Sequence, residues 1–499
     1  MSIKKLAGQT MWYGLSSIFA RFLNYLLTPY LTYYLTAANY GEMSLVYSAI
    51  PFMNVVFTYG METAYFRFSN KGEDERSVFN TAGLSLICST LVLTAIILLF
   101  RDPIAQLLKV DNHPQFITWT AWILALDTLS TLPFAKLRND GRPRKYAMIR
   151  VLSILVNIGL TVFFYTILPK IAAVDPDSFL GKMYDPNLGA GYVILANLVQ
   201  SALTLLLLAP EFLSIRFEFN KKLWNQLMLY SLPLMIAGFG GMINETFDRL
   251  MLGWWAPVAT EADAKVQVGI YSACYKLSIL ITLFIQAFRM GAEPFFFQQA
   301  KGEDAPKTYA RVMNYFVIII CLMFLVVALY LDVWKHFITN PIMWEGLKVV
   351  PILLIANMCL GVYYNLSIWY KLSQNTRAGA TITFIGAGIT LLINAIFIPH
   401  YSYLACAWAT LSCYASMMLI SYFWGQKVYP VPYASGKLLG LFGVMLGFYF
   451  VQRGVCMLTT VYALRIASAT ALIVIYLLYV VRMQKDDMKR LPVIGKYLS

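Results

Sequence analysis

Again and again along this chain, an apolar run of about 20 residues ends in a short polar or charged break. A run of that length spans the hydrocarbon core of a bilayer as one helix. Such runs place helices near 10–33, 41–66, 78–100, 116–135, 147–168, 189–213, 224–254, 267–288, 312–334, 349–370, 379–398, 402–424, 438–451 and 461–481. The runs are continuously apolar and do not alternate, which excludes a membrane β-barrel. Composition agrees. Hydrophobic residues make up 59% of the 499 positions and charged ones 13%, too few charges to coat a water-facing surface. Fourteen helices use about 280 residues, which leaves room for short loops and no sizeable soluble domain. The expected fold is therefore an all-α integral membrane protein of about 14 transmembrane helices.

Charge sets the orientation. With the N-terminus inside, 27 of the 39 Lys and Arg residues fall in cytoplasmic segments, 8 fall outside, and Arg21, Arg249, Lys276 and Arg465 lie within helices. Cytoplasmic loops carry the excess of positive charge, so both termini are expected in the cytoplasm. The net charge of +14 then needs no nucleic-acid partner. The segment after MSIKK reads as a retained first helix without a cleavage pattern.

The chain also repeats itself. Lys71-Gly72-Glu73-Asp74 returns as Lys301-Gly302-Glu303-Asp304, an offset of 230. Arg21 and Arg249, Pro29 and Pro257, Gly41 and Gly269, Ser44 and Ser272, and Tyr47 and Tyr275 all pair at 228, and Pro169 pairs with Pro399 at 230. This implies two pseudo-symmetric six-helix bundles, 1–223 and 224–426, with two further helices and a tail in 427–499. Six helices return the chain to its starting side, so both halves share one orientation, as in transporters built from parallel repeats.

A charge in the bilayer costs a few kcal/mol and usually faces a bundle interior or a water-filled cavity. Arg21 lies midway along helix 1, and Arg249 is its repeat mate on helix 7. Lys276 is on helix 8. These three are the candidate cargo-binding residues. Glu245, Asp248 and Arg249 share one helix face by their spacing of i, i+3 and i+4. Glu62, Asp127, Glu245 and Asp248 are candidates for ion coupling or for pairing within a partly cationic cavity. A structural reading stands beside this one: Asp248 or Glu245 pairs with Lys276, and Glu62 with Arg21. Arg465 and Glu42 are expected to snorkel from helix ends. Pro29, Pro51, Pro133, Pro233 and Pro351, with Gly238, Gly240 and Gly241, mark places where helices can kink. The basic stretch Lys136–Lys145 serves either as a topology anchor or as a contact for an anionic headgroup.

Catalytic signals are absent from the sequence. His113, His336 and His400 are far apart and map to outer loops or helix ends. The seven cysteines are scattered, and no HExxH, Walker or Gly-rich nucleotide pattern occurs. No enzyme activity, cofactor or metal is expected. Without a nucleotide-binding domain, energy must come from an ion gradient, a membrane potential or downstream use of the cargo.

Thr10-Met11-Trp12-Tyr13-Gly14, Tyr40-Gly41-Glu42, Arg144-Lys145-Tyr146-Ala147, Asp248-Arg249-Leu250-Met251-Leu252-Gly253 and Val268-Gly269-Ile270-Tyr271-Ser272-Ala273 together resemble the polysaccharide biosynthesis flippases. These belong to the multidrug/oligosaccharidyl-lipid/polysaccharide exporter superfamily. The resemblance implies a V-shaped pair of bundles, a cationic lumen and alternating access coupled to H+ or Na+. It implies an undecaprenyl-diphosphate-linked repeat unit of O-antigen, capsule or exopolysaccharide as cargo. Membrane lipids and polysaccharide assembly proteins are the implied partners, and the bacterial inner membrane the implied location. A drug/cation antiporter and a lipid II flippase of the same superfamily are the alternatives. From another class, the alternative is a membrane-embedded polymerase or acyltransferase.

Overall fold

The computed structural model describes residues 3–71, 73–300, 302, 304–373 and 375–483, with backbone alone for 3–13 and 15–17. Among the described residues the regular structure is helical, without strands. The main helices are α1 (Ile3–Tyr34), α2 (Ala37–Thr58), α3 (Met61–Ser69), α4 (Glu75–Leu99), α5 (Gln115–Asn139), α6 (Pro143–Val162) and α7 (Gly191–Leu207). They continue as α8 (Lys221–Trp255), α9 (Glu261–Gln299), α10 (Ala305–Ala328), α11 (Val350–Leu366), α12 (Thr376–Tyr401), α13 (Tyr403–Val428), α14 (Ser435–Leu458) and α15 (Tyr462–Met483). Each expected span falls on one of these, and the 41–66 span falls on two. Among the described residues, ten helical spans are long and apolar enough to cross a membrane, or 11 if the bent pair α2–α3 is one span, against the fourteen expected. The protein is thus a multi-pass membrane protein.

Helix starts follow local chemistry. Side chains of Thr36, Asp74 and Asn220 accept from the backbone N–H three residues on, opening α2, α4 and α8. Pro143 opens α6 and Pro351 stands in the first turn of α11, where a missing N–H costs nothing. α8 runs unbroken through Pro233, Gly238, Gly240 and Gly241, whereas the sharp bend, 40°, lies at Tyr59–Gly60.

The chain forms two compact units, residues 1–276, 338–346 and 377–413 in one and 277–337, 347–376 and 414–499 in the other. In the first unit, Tyr59, Met61, Tyr65, Phe79, Leu86, Leu132, Leu223 and Leu227 make a buried core. In the second, Ala292, Phe296, Tyr309, Ile368 and Val431 do so.

The two sequence repeats meet in the first unit. A Cβ on Gly41 would lie 1.8 Å from the Lys265 carbonyl oxygen, and one on Gly269 would lie 2.0 Å from that of Ala37. Each would also stand 3.0 Å from the other glycine's nitrogen. Ala37 and Lys265 are themselves 228 positions apart, so the contact maps onto itself when the repeats are exchanged. Only glycine permits so close a crossing of α2 and α9. Lys265 then donates to Glu42 at 2.9 Å in a buried pair. Glu42 therefore does not snorkel. Arg465 donates to the Thr459 and Cys456 carbonyls, each at 2.8 Å, and to Asp332 at 3.1 Å.

A candidate cargo site around Arg249

Asp248 and Arg249 of α8 meet Tyr271 and Tyr275 of α9. Arg249 Nη1 donates to Asp248 Oδ1 at 3.2 Å and to the Glu245 carbonyl at 3.0 Å. Its guanidinium carbon lies 4.4 Å from the Tyr275 ring centroid and 5.7 Å from that of Tyr271. Tyr271, one helical turn before Tyr275, donates its hydroxyl to Asp248 Oδ2 at 2.6 Å. Both carboxylate oxygens of this buried acid are thereby engaged. From α13, the Cys406 thiol reaches the Asp248 carbonyl at 3.7 Å. The Arg249 side chain is 12% exposed, so its head is fixed by hydrogen bonds on one edge and by an aromatic face on its plane. Such a guanidinium is preorganised: little rotamer entropy remains to be lost when an anion meets its other N–H groups.

Residues 6–300 match the model of a family described as polysaccharide biosynthesis protein. The chain belongs to that family. An uncharacterized membrane protein of Methanocaldococcus jannaschii is 22% identical over 442 residues, which cover 81% of this chain and 82% of that protein. Among solved structures, the fold resembles the lipid II flippase MurJ in an inward closed conformation. The TM-score is 0.68 at 14% identity, covering 95% of this chain and 99% of that one. It also resembles an inward-facing multidrug resistance MATE transporter of the MOP superfamily, with a TM-score of 0.62 at 12% identity, covering 88% and 96%. A Vibrio cholerae MATE transporter follows with a TM-score of 0.56 at 13% identity, covering 85% and 97%.

The other expected site residues of this family member divide. Lys276 follows Tyr275 directly and lies within electrostatic reach of Arg249. Asp248 pairs with Arg249 and not with Lys276. Arg21 is exposed on α1 and stands outside the Arg249 cluster. Glu245 contributes its carbonyl to that cluster while its side chain is exposed. Glu62 pairs with Arg138 and not with Arg21. Asp127 lies beside Ser201 of α7 and within electrostatic reach of Arg150. Of the repeated tetrapeptides, Gly72, Lys301 and Glu303 lie outside the described residues, as do the side chains of Thr10 to Tyr13.

The basic stretch is largely taken up by contacts within the protein. Arg142 and Lys145 both donate to buried Glu211, at 3.0 and 2.6 Å. Lys136 donates to Ser214 at 2.8 Å and lies over the Phe79 ring. Two features of the site, Tyr271 and Tyr275, stand in the sequence in the resemblance motif and in the repeat but not among the candidate site residues. Their i, i+4 spacing, and the pairing of Tyr275 with Tyr47 in the repeat, are the signals that mark them.

Proposed function

We propose that this protein is a flippase that moves an undecaprenyl-diphosphate-linked oligosaccharide across the bacterial inner membrane by alternating access, driven by an H+ or Na+ gradient. The observation that carries the reading is the caged Arg249 in a chain of the polysaccharide biosynthesis family. A diphosphate needs a few oriented cationic donors, and the site must also release it. One arginine held by Asp248 and Tyr275, with Lys276 beside it and Arg21 on the mate helix, suits both demands. The lipid tail stays in the bilayer while the headgroup crosses. In this reading 1–223 and 224–426 act as the two moving bundles, 427–499 is appended, and both termini are cytoplasmic. Glu62, Asp127, Glu245 and Asp248 are the acids to screen for ion coupling.

The test is complementation of surface-polysaccharide assembly. Per molecule present in the membrane, Arg249→Ala should lose roughly tenfold or more, the loss of one to two charge-assisted hydrogen bonds; because it also leaves buried Asp248 without its ion-pair partner, output is read against membrane abundance. Arg249→Lys should recover only part, because it keeps the charge and loses the fork. Normal output from an Arg21→Ala, Arg249→Ala double variant would refute the cargo role. Rescue of a strain lacking its lipid II flippase, and not of one lacking its polysaccharide flippase, would favour that second cargo. Cysteines at positions 140 and 430 should label from the cytoplasm and those at 180 and 260 from outside.

A further inference from the structure

The break between α2 and α3 is built from a costly conformation. Tyr59 has φ 33° and Gly60 φ 74°, so two successive residues are left-handed, and the first is not a glycine. Side chains resist that region because Cβ crowds the following carbonyl. Something must hold Tyr59 there. Its hydroxyl is 2.7 Å from Ser85 Oγ on α4, and Ser85 Oγ in turn accepts from Trp224 Nε1, in the first turn of α8, at 2.8 Å. Ser89 adds a longer bond at 3.4 Å.

Beyond the break, α3 packs on α8 and also on α4 and α5, where Tyr65 donates to Glu75 and Glu62 pairs with Arg138. Met61, Ala64 and Tyr65 are buried with Leu223 and Leu227. The Arg67 guanidinium stacks on Tyr230 at 4.2 Å, and Phe68 meets the same ring edge-on. At Gly60 the fit is tightest: a Cβ would lie 3.0 Å from the Ser231 carbonyl oxygen and 3.2 Å from Leu234 Cβ. Strain at the joint, its hydroxyl anchor and the docked face therefore form one mechanical unit.

We infer that the Tyr59–Gly60 joint is a strained clasp that holds α3 on the first turns of α8, and that it opens during each transport cycle. Released from Ser85, Tyr59 gains by returning to right-handed helix, and α3 then swings away in line with α2. The part played in the cycle rests on the proposed flippase function; the clasp itself does not.

Nitroxide labels on cysteines at the exposed positions Thr63 and Gln226 report the docking by double electron–electron resonance. The full chain is placed in phosphatidylethanolamine/phosphatidylglycerol nanodiscs. Wild type should show a dominant short distance. Gly60→Ala opposes the left-handed joint and should raise the long-distance share relative to the short by roughly tenfold. Tyr59→Phe and Ser85→Ala remove the anchor and should raise it by about threefold. Ser85→Ala leaves the backbone joint untouched, so the test survives if Gly60→Ala fails to fold. Distances unchanged in Tyr59→Phe and Ser85→Ala would overturn the clasp. Shifted distances with wild-type flipping of lipid-linked oligosaccharide would overturn its place in the cycle. The distances need no cargo, so a wrong cargo assignment would appear separately, as wild-type protein that docks normally and flips none.

Discussion

Arg21 and Arg249 hold matching places in the two repeats yet live in different surroundings. Arg249 is fixed by Asp248, the Glu245 carbonyl and the face of Tyr275. Arg21 is exposed on α1. Gly41 and Gly269, also mates, meet in a contact that is the same from either side. The glycine crossing is thus sterically symmetric, while the surroundings of the two arginines differ. A crossing needs matching shapes on both helices, whereas a binding site needs its charge fixed in only one place.

The largest effects should come from breaking the symmetric contact. Gly41→Ala and Gly269→Ala each place a methyl within 2.0 Å of a backbone oxygen, which backbone cannot yield cheaply. Both should fail alike, with little folded protein in the membrane by fluorescence-detected size exclusion. Near-normal yield from either would mean the crossing is looser than described. Asp248→Ala comes next. Removing one partner of a buried ion pair typically costs about 3–5 kcal/mol, so its thermal midpoint should fall well below wild type. Arg21→Ala should leave the midpoint within experimental error; equal falls would erase the difference between the mates. Tyr275→Leu removes the face under Arg249, worth about 1–2 kcal/mol when desolvated, and should lower transport more than abundance.

The smallest effect is a pH term in the second unit. Burial opposes charge on Asp332, but hydrogen bonds from Lys335 and Arg465 outweigh it and hold the carboxyl below its usual range. A carboxyl depressed in the folded state contributes stability that is full above its unfolded pKa, about 3.9, and is lost as pH falls through the folded value. Thermal midpoints should therefore be flat in this term from pH 7 to 5. Below about pH 4 the wild type should fall more than Asp332→Asn.

Most of the fold was legible because apolar runs of membrane length have few alternatives. The spans of α4, α8 and α13 sit close to their expected limits. The break in the second span was not legible: Pro51 was the obvious suspect, while the chain turns at Tyr59–Gly60, where α4 and α8 supply the holding contacts. Pairing was the harder part. The i, i+3, i+4 face of Glu245, Asp248 and Arg249 followed from helix geometry. The partners of Glu62 and Glu42 depend on which helices cross, and Arg138 and Lys265 lie far off in sequence. Tyr275 gains its role only when α9 is laid against α8.

The central claim is that caged Arg249 carries the diphosphate of the cargo. The direct measurement is flipping of a fluorescent polyprenyl-diphosphate oligosaccharide by purified protein in liposomes, with equal amounts incorporated. Arg249→Ala should flip roughly tenfold or more slowly, with Arg249→Lys between it and wild type. A rate for Arg249→Ala equal to that of wild type would contradict the account.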